Sequence, residues 1–273
     1  MTQERTGEEI VDQVRKRYGS IAVASSSCCA PVSSCCGTTP VSRQLGYQQS
    51  ELAAVPEGAD LGLGCGAPVG HLALKPGETV LDLGSGPGLD ALLAARQVGP
   101  GGRVIGVDMT PEMLERARAT AARAGASQVE FRQGRLESLP VEDASVDAVT
   151  SNCVINLVPD KAAVFREVAR VLRPGGRAVI ADIVLERPLP EAVASDVLAW
   201  CGCVSGAALR QDYFGLVAGA GLSEVTILKQ EDYAASLAQI ASDEAQSLLQ
   251  RWGITAEQIR GAITSVTWRA VKA

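Results

Sequence analysis

Between Pro76 and Val184 short apolar runs alternate with stretches of helical periodicity, and few folds accommodate that rhythm. Thr79–Leu83, Arg103–Asp108, Val129–Phe131, Val146–Thr150 and Ala178–Val184 read as strands. Ala91–Val98, Pro111–Ala124 and Lys161–Leu172 read as helices, the last closed by Pro174-Gly175-Gly176. Strand, short loop and helix in turn are the pattern of an α/β fold with a doubly wound, mostly parallel sheet. Gly7–Tyr18 places Ile10, Val11, Val14 and Tyr18 at helical spacing, which predicts an amphipathic N-terminal helix. Beyond Pro190, residues 191–200 and 208–220 read as helical, 224–228 as a strand and 233–251 as a helical insertion. The alternation at Ser265–Val271 would add an antiparallel strand to the sheet. Three regions are expected: 1–72 with the helix and a cysteine-rich segment, 73–185 as a Rossmann-like domain, and 186–273 as an α+β region completing the sheet.

Asp82-Leu83-Gly84-Ser85-Gly86-Pro87-Gly88 follows the first strand and opens a helix, and Asp108 ends the second strand about twenty residues later. Glycines there permit a tight turn and a close approach of backbone N–H groups to a ligand, while Asp108 suits the two hydroxyls of a ribose. The spacing is tighter than the G-x-G-x-x-G of dinucleotide sites. Asp82 would repel a pyrophosphate but suits an ammonium or another nearby cation.

Net charge is −6 and no run of Lys and Arg would track phosphates, so nucleic acid is not an expected partner. The first ten residues lack the basic and apolar blocks of a signal peptide, and no run approaches the ~18 apolar residues of a membrane span. A cytoplasmic location and no membrane association are therefore expected. Eight cysteines are too few for a disulfide scaffold, in which they make up roughly 8–10% of the chain. Four lie between Cys28 and Cys36 in a Ser/Thr-rich loop; the others are Cys65, Cys153, Cys201 and Cys203. In a reducing compartment such residues read first as soft ligands or redox groups. With His71 the sole histidine and no C-x-x-C pair, the spacing of a zinc site is missing. Cys201 suits a small buried hydrophobe.

Val80–Gly88 and Val107–Leu114 resemble the first two motifs of class I methyltransferases that use S-adenosylmethionine. Gly134-Arg135-Leu136-Glu137 is similar to their adenine-covering stretch, and Arg173–Gly176 to the turn before their fifth strand. Leu61–Gly66, Ser151–Leu157 and Gly202–Ala207 match the three cysteine motifs of the arsenite S-adenosylmethionine methyltransferases. That resemblance, running from about Leu45 to Leu228, implies S-adenosylmethionine held by Asp82, Gly84, Ser85, Gly86, Gly88, Asp108, Met109, Leu136, Glu137 and Asn152. It implies As(III) held by Cys153 and Cys203 with Cys65 as third partner, and a disulfide relay through Cys35 or Cys36 that thioredoxin or small thiols reset. Arsenite and methylated arsenicals would be the substrates and products, handled by a monomer. Ala67 departs from the family, where Asn is usual. A quinone-type C- or O-methyltransferase and a non-catalytic metalloid-binding protein stay open as alternatives.

Overall fold

The computed structural model describes residues 6–24, 41–233 and 249–273. Its centre is one seven-stranded sheet in the order β3-β2-β1-β4-β5-β7-β6. The strands are β1 (Thr79–Leu83), β2 (Arg103–Asp108), β3 (Val129–Gln133), β4 (Val146–Asn152), β5 (Leu172–Leu185), β6 (Leu222–Asp232) and β7 (Ile263–Lys272). Strands β1 to β5 pair in parallel, and β7 runs antiparallel between β5 and β6. The α-helices are α1 (Gly7–Ala24), α2 (Val41–Leu45), α3 (Gln49–Leu52), α4 (Leu89–Val98), α5 (Pro111–Ala124), α6 (Lys161–Val171), α7 (Glu191–Ala194), α8 (Val197–Cys201), α9 (Arg210–Gly219) and α10 (Ala256–Ile259).

The strands of the parallel half carry Val, Ile, Leu and Ala on both faces because helices cover both. Val80, Val104, Ala148 and Val179 pack with α4 and α5. Leu81, Ile105, Val149 and Ile180 pack against α6 and α9, where Phe165, Tyr213 and Trp268 meet edge to face or tilted at 5.3–6.2 Å between ring centres. A third cluster gathers at the carboxyl end of β5, where Ala181, Ile183 and Leu185 meet Val14 of α1 and the four described cysteines.

Several element boundaries differ from the sequence reading. The N-terminal helix continues to Ala24. β5 begins at Leu172, and Pro174–Gly176 forms an irregularity in its pairing with β4 in place of a separate turn. The helical stretch at 191–200 is split into α7 and α8, because Asp196 Oδ1 accepts from Ala199 N and starts the second helix afresh. β6 is longer than expected, with two register shifts against β7. Most of the insertion expected at 233–251 and the loop from Cys28 to Cys36 lie outside the described residues.

Candidate active site

The strand order reverses between β1 and β4, and that switch point opens a crevice at the carboxyl ends of the parallel strands. There the chain leaves β1 through Gly84, at φ +63°, and a Cβ on this residue would strike both γ-methyls of Val154. Asp108 clamps the turn: Oδ2 accepts from Gly86 N at 2.9 Å and Oδ1 from Thr110 N at 2.8 Å.

A mostly apolar cleft of about 1120 Å3, open mouth included, lies over this turn. Asp82, Gly84, Ser85, Gly86, Asp108, Met109, Leu136, Glu137 and Asn152 line it; Gly88 does not, and instead opens α4 at φ +97°. Asp82 is 2% exposed, and among the described residues its Oδ2 and the Ser85 hydroxyl have no partner. Burial pushes the Asp82 carboxyl well above its ordinary value, with Asp90 and Asp108 adding to the rise. Arg135, the one basic residue lining the cleft among the described residues, is engaged with Glu8 at 2.7 Å and Glu137 at 2.9 Å. A buried acceptor with nothing to accept, next to two further acids, fits a cationic group; a backbone turn passable only by glycine fits a ligand lying close to the chain. These residues fit S-adenosylmethionine, whose ammonium and sulfonium are both cations.

Sequence reasoning missed the network behind the cleft. Tyr47 donates its hydroxyl hydrogen to Asp90 Oδ1 at 2.7 Å, and Asn152 Nδ2 donates to the Tyr47 hydroxyl at 2.9 Å and to Gly66 O at 2.8 Å. Asn152 Oδ1 accepts from Cys65 N at 2.9 Å and Gly66 N at 3.3 Å. One amide thus fastens the Cys65 loop to the end of β4 while lining the cleft. Burial raises the Asp90 carboxyl to about 6, against the opposing hydrogen bonds from Tyr47 and Asn152.

Three of the cysteines expected at the site come together. Cys153 follows β4, with its N–H on Ala181 O at 2.8 Å; Cys203 follows α8, with its N–H on Trp200 O at 2.8 Å. Both adopt left-handed backbone, at φ +61° and +64°, a conformation that disfavours any side chain and concentrates at functional positions. Cys203 Sγ donates to Cys153 O at 2.7 Å. Cys65 is held through its carbonyl, which accepts from Ser265 Oγ of β7 at 2.7 Å. Gly206 lets the Cys203 loop lie against the carbonyl of Asn156, which in turn donates to Asp182 Oδ1 at 2.7 Å.

Cys65, Cys153 and Cys203 are 3%, 4% and 2% exposed, and none of them is in a disulfide. Hydrogen bonds from its side chain to Cys203 and Cys65, then burial, push the Cys153 thiol well above its ordinary value; burial raises Cys65. Among the described residues no His, Cys, Asp and Glu group stands as a preformed metal-ion cage; the three cysteines share one buried cluster, in which both Cys65 and Cys203 act on Cys153. Cys201 is buried beside them, and its carbonyl accepts from the Tyr18 hydroxyl at 3.2 Å. Cys35 and Cys36 lie outside the described residues.

A family model described as a methyltransferase domain matches residues 74–251, which sets the sheet and its crevice among the class I methyltransferases. Arsenite methyltransferase of Halobacterium salinarum is 47% identical over 242 residues, 85% of this chain and 62% of that protein. Arsenite methyltransferase of Aquipseudomonas alcaligenes is 37% identical over 229 residues, 81% of this chain and 64% of its own length. The crystal structure of an arsenic(III) S-adenosylmethionine methyltransferase from Chlamydomonas reinhardtii superposes with a TM-score of 0.63 at 34% identity, covering 87% of this chain and 75% of that one. The chain belongs to the arsenite methyltransferase family. It spans less than two thirds of the length of the two curated relatives.

Proposed function

We propose that this protein methylates trivalent arsenic with S-adenosylmethionine. The observation that carries the reading is the meeting of three buried thiols, two on left-handed backbone, around Cys153 at the wall of a cleft built for a cation. Asp82 would take the donor's ammonium, Asp108 its ribose hydroxyls, and Leu136 and Glu137 its adenine.

The raised thiol pKa values of Cys65 and Cys153 suit the substrate. Arsenite in neutral water is the uncharged hydroxide As(OH)3, and three thiols condense with it as As(OH)3 + 3 RSH → As(SR)3 + 3 H2O. Each thiol proton leaves with an arsenic hydroxide, so no thiolate anion has to be created in the dry pocket first. With Cys65, Cys153 and Cys203 gathered in one buried cluster, a single arsenic atom could replace their three protons once the thiols close on it. The bound arsenic keeps its lone pair, so the transfer itself requires no general base.

When bound, S-adenosylmethionine would supply an electrophilic sulfonium methyl, open to in-line attack at carbon by the arsenic lone pair with S-adenosylhomocysteine as the leaving group. The chain's residues hold the two partners in register and exclude water. Arsenic thereby passes from the +3 to the +5 state, and two thiolates return it to +3 by giving up two electrons and joining as a disulfide. Cys35 or Cys36 would carry that disulfide outward, and thioredoxin or a small thiol would reduce it.

One experiment separates the readings. Incubation with arsenite, S-adenosylmethionine and a thiol should yield methylated arsenic by mass spectrometry, and Cys153→Ser should abolish it. A C- or O-methyltransferase would be indifferent to that substitution, and a metalloid-binding protein would retain arsenite without product.

A further inference from the structure

Val11, Val14 and Tyr18 on α1 line the cofactor cleft, although α1 lies outside the stretch that matches the methyltransferase domain. Tyr18 differs from the other two in carrying a ring and a hydroxyl. The hydroxyl donates to the carbonyl of Cys201, so the side chain reaches from the cleft wall to the loop that carries Cys203. Burial, then the thiols of Cys203, Cys153 and Cys201, hold its pKa well above the ordinary phenol value, with Arg17 opposing; the ring stays neutral. Among the described residues only Tyr18 and Tyr47 bring aromatic rings to the cleft, and the Tyr47 hydroxyl is engaged with Asp90 and Asn152.

A reaction that moves positive charge from a sulfonium toward a buried arsenic atom needs something at that join to favour a cation. A neutral aromatic face attracts a cation without placing a second charge in the dry pocket. We propose that Tyr18 is a further catalytic residue, its ring forming the wall that the cationic methyl donor rests against where the cleft meets the thiols. The inference rests on the donor assignment above and deepens it.

The test compares two ligands of nearly the same shape, cationic S-adenosylmethionine and its neutral product S-adenosylhomocysteine, by calorimetric titration of the full chain. Tyr18→Leu should weaken the cationic ligand roughly 2- to 30-fold and leave the neutral one within about twofold, while Tyr18→Phe keeps both affinities. Equal losses for the two ligands, or no loss, would overturn the proposal, because a purely structural role acts on both alike. If Tyr18→Leu does not fold, a ring-fluorinated phenylalanine at position 18, similar in shape with a less negative face, must give the same selective loss. A wild-type chain that binds neither ligand would sink the donor assignment itself, a result distinct from either of these.

Discussion

Replacing Gly84 by Ala probes the join between cofactor turn and thiol loop, and its cost has two separable parts. An L-residue at φ +63° bears a backbone penalty of about 1–2 kcal/mol. The new methyl also overlaps both γ-carbons of Val154, an overpacking worth about 1–3 kcal/mol. Together the two predict ~2–5 kcal/mol, or a fall in Tm on the order of 5–15 °C for a chain of this size. Val154→Ala alone should cost about 1.5 kcal/mol for two partly buried methyl groups. In the double variant the two closest overlaps, with the γ-carbons, disappear and only the backbone penalty and the milder approach to Val154 Cβ at 2.8 Å remain, so the cycle should show a coupling of about 1–3 kcal/mol. Urea unfolding of the four proteins measures it. The reasoning fails if the two single effects add within about 0.5 kcal/mol, because the contact between the residues would then contribute nothing. Val154 adjoins Cys153, so Gly84→Ala should also lower arsenite methylation more than the double variant does.

Cys153→Ser and Cys203→Ser are each expected to abolish methylation of arsenite while leaving binding of S-adenosylmethionine intact by calorimetry; Cys201→Ser should leave turnover nearly unchanged. Gly206→Ala would drive a Cβ into the Asn156 carbonyl, so it should weaken arsenite binding, read by tryptophan fluorescence, more than donor binding. Donor affinity should fall as pH drops through about 6, because Asp90 protonates there, Asp82 has a raised pKa too, and a neutral cleft loses its hold on a cation. A dissociation constant that stays flat between pH 5 and 8 would contradict this. The ligand-free protein should behave in the opposite sense. Asp90 at about 6 and Asp182 at about 7 bind protons more readily folded than unfolded, so Tm should rise as pH is lowered from 8 toward 5. A Tm that falls over that interval would refute the assignment.

Sequence reasoning located β1, β2 and α5 to the residue because period-two and period-3.6 patterns are local, and each element's buried face is written in its own residues. The turn from Asp82 to Gly88 and Asp108 could be read for the same reason: glycines mark a backbone need. Asp90 could not. It reads as an ordinary acid in a helix's first turn, and only Tyr47 and Asn152, brought from distant parts of the chain, turn it into a buried acceptor. The left-handed backbone of Cys153 and Cys203 was equally hidden, since nothing in a cysteine announces a φ that glycine would normally serve. Tyr18 could be assigned to a helix face, but which surface that face covers is decided by tertiary packing. In β5 the Pro-Gly-Gly signal was read as a break, yet the sheet absorbs it as an irregularity in register.

β7 has a consequence for the order of assembly. Among the described residues it is the only partner of β6, and Ser265 on it holds the Cys65 carbonyl. Every parallel pairing that frames the donor cleft, from β3 through β5, closes within residues 79–185, whereas the Cys65 carbonyl, on a loop that Asn152 already ties to β4, waits for a strand some 200 residues further along the chain. Contacts between such distant segments carry the larger loop-closure entropy and form late. A partly folded chain would thus become competent for the donor before it became competent for the metalloid, and a cut between β6 and β7 should uncouple the two.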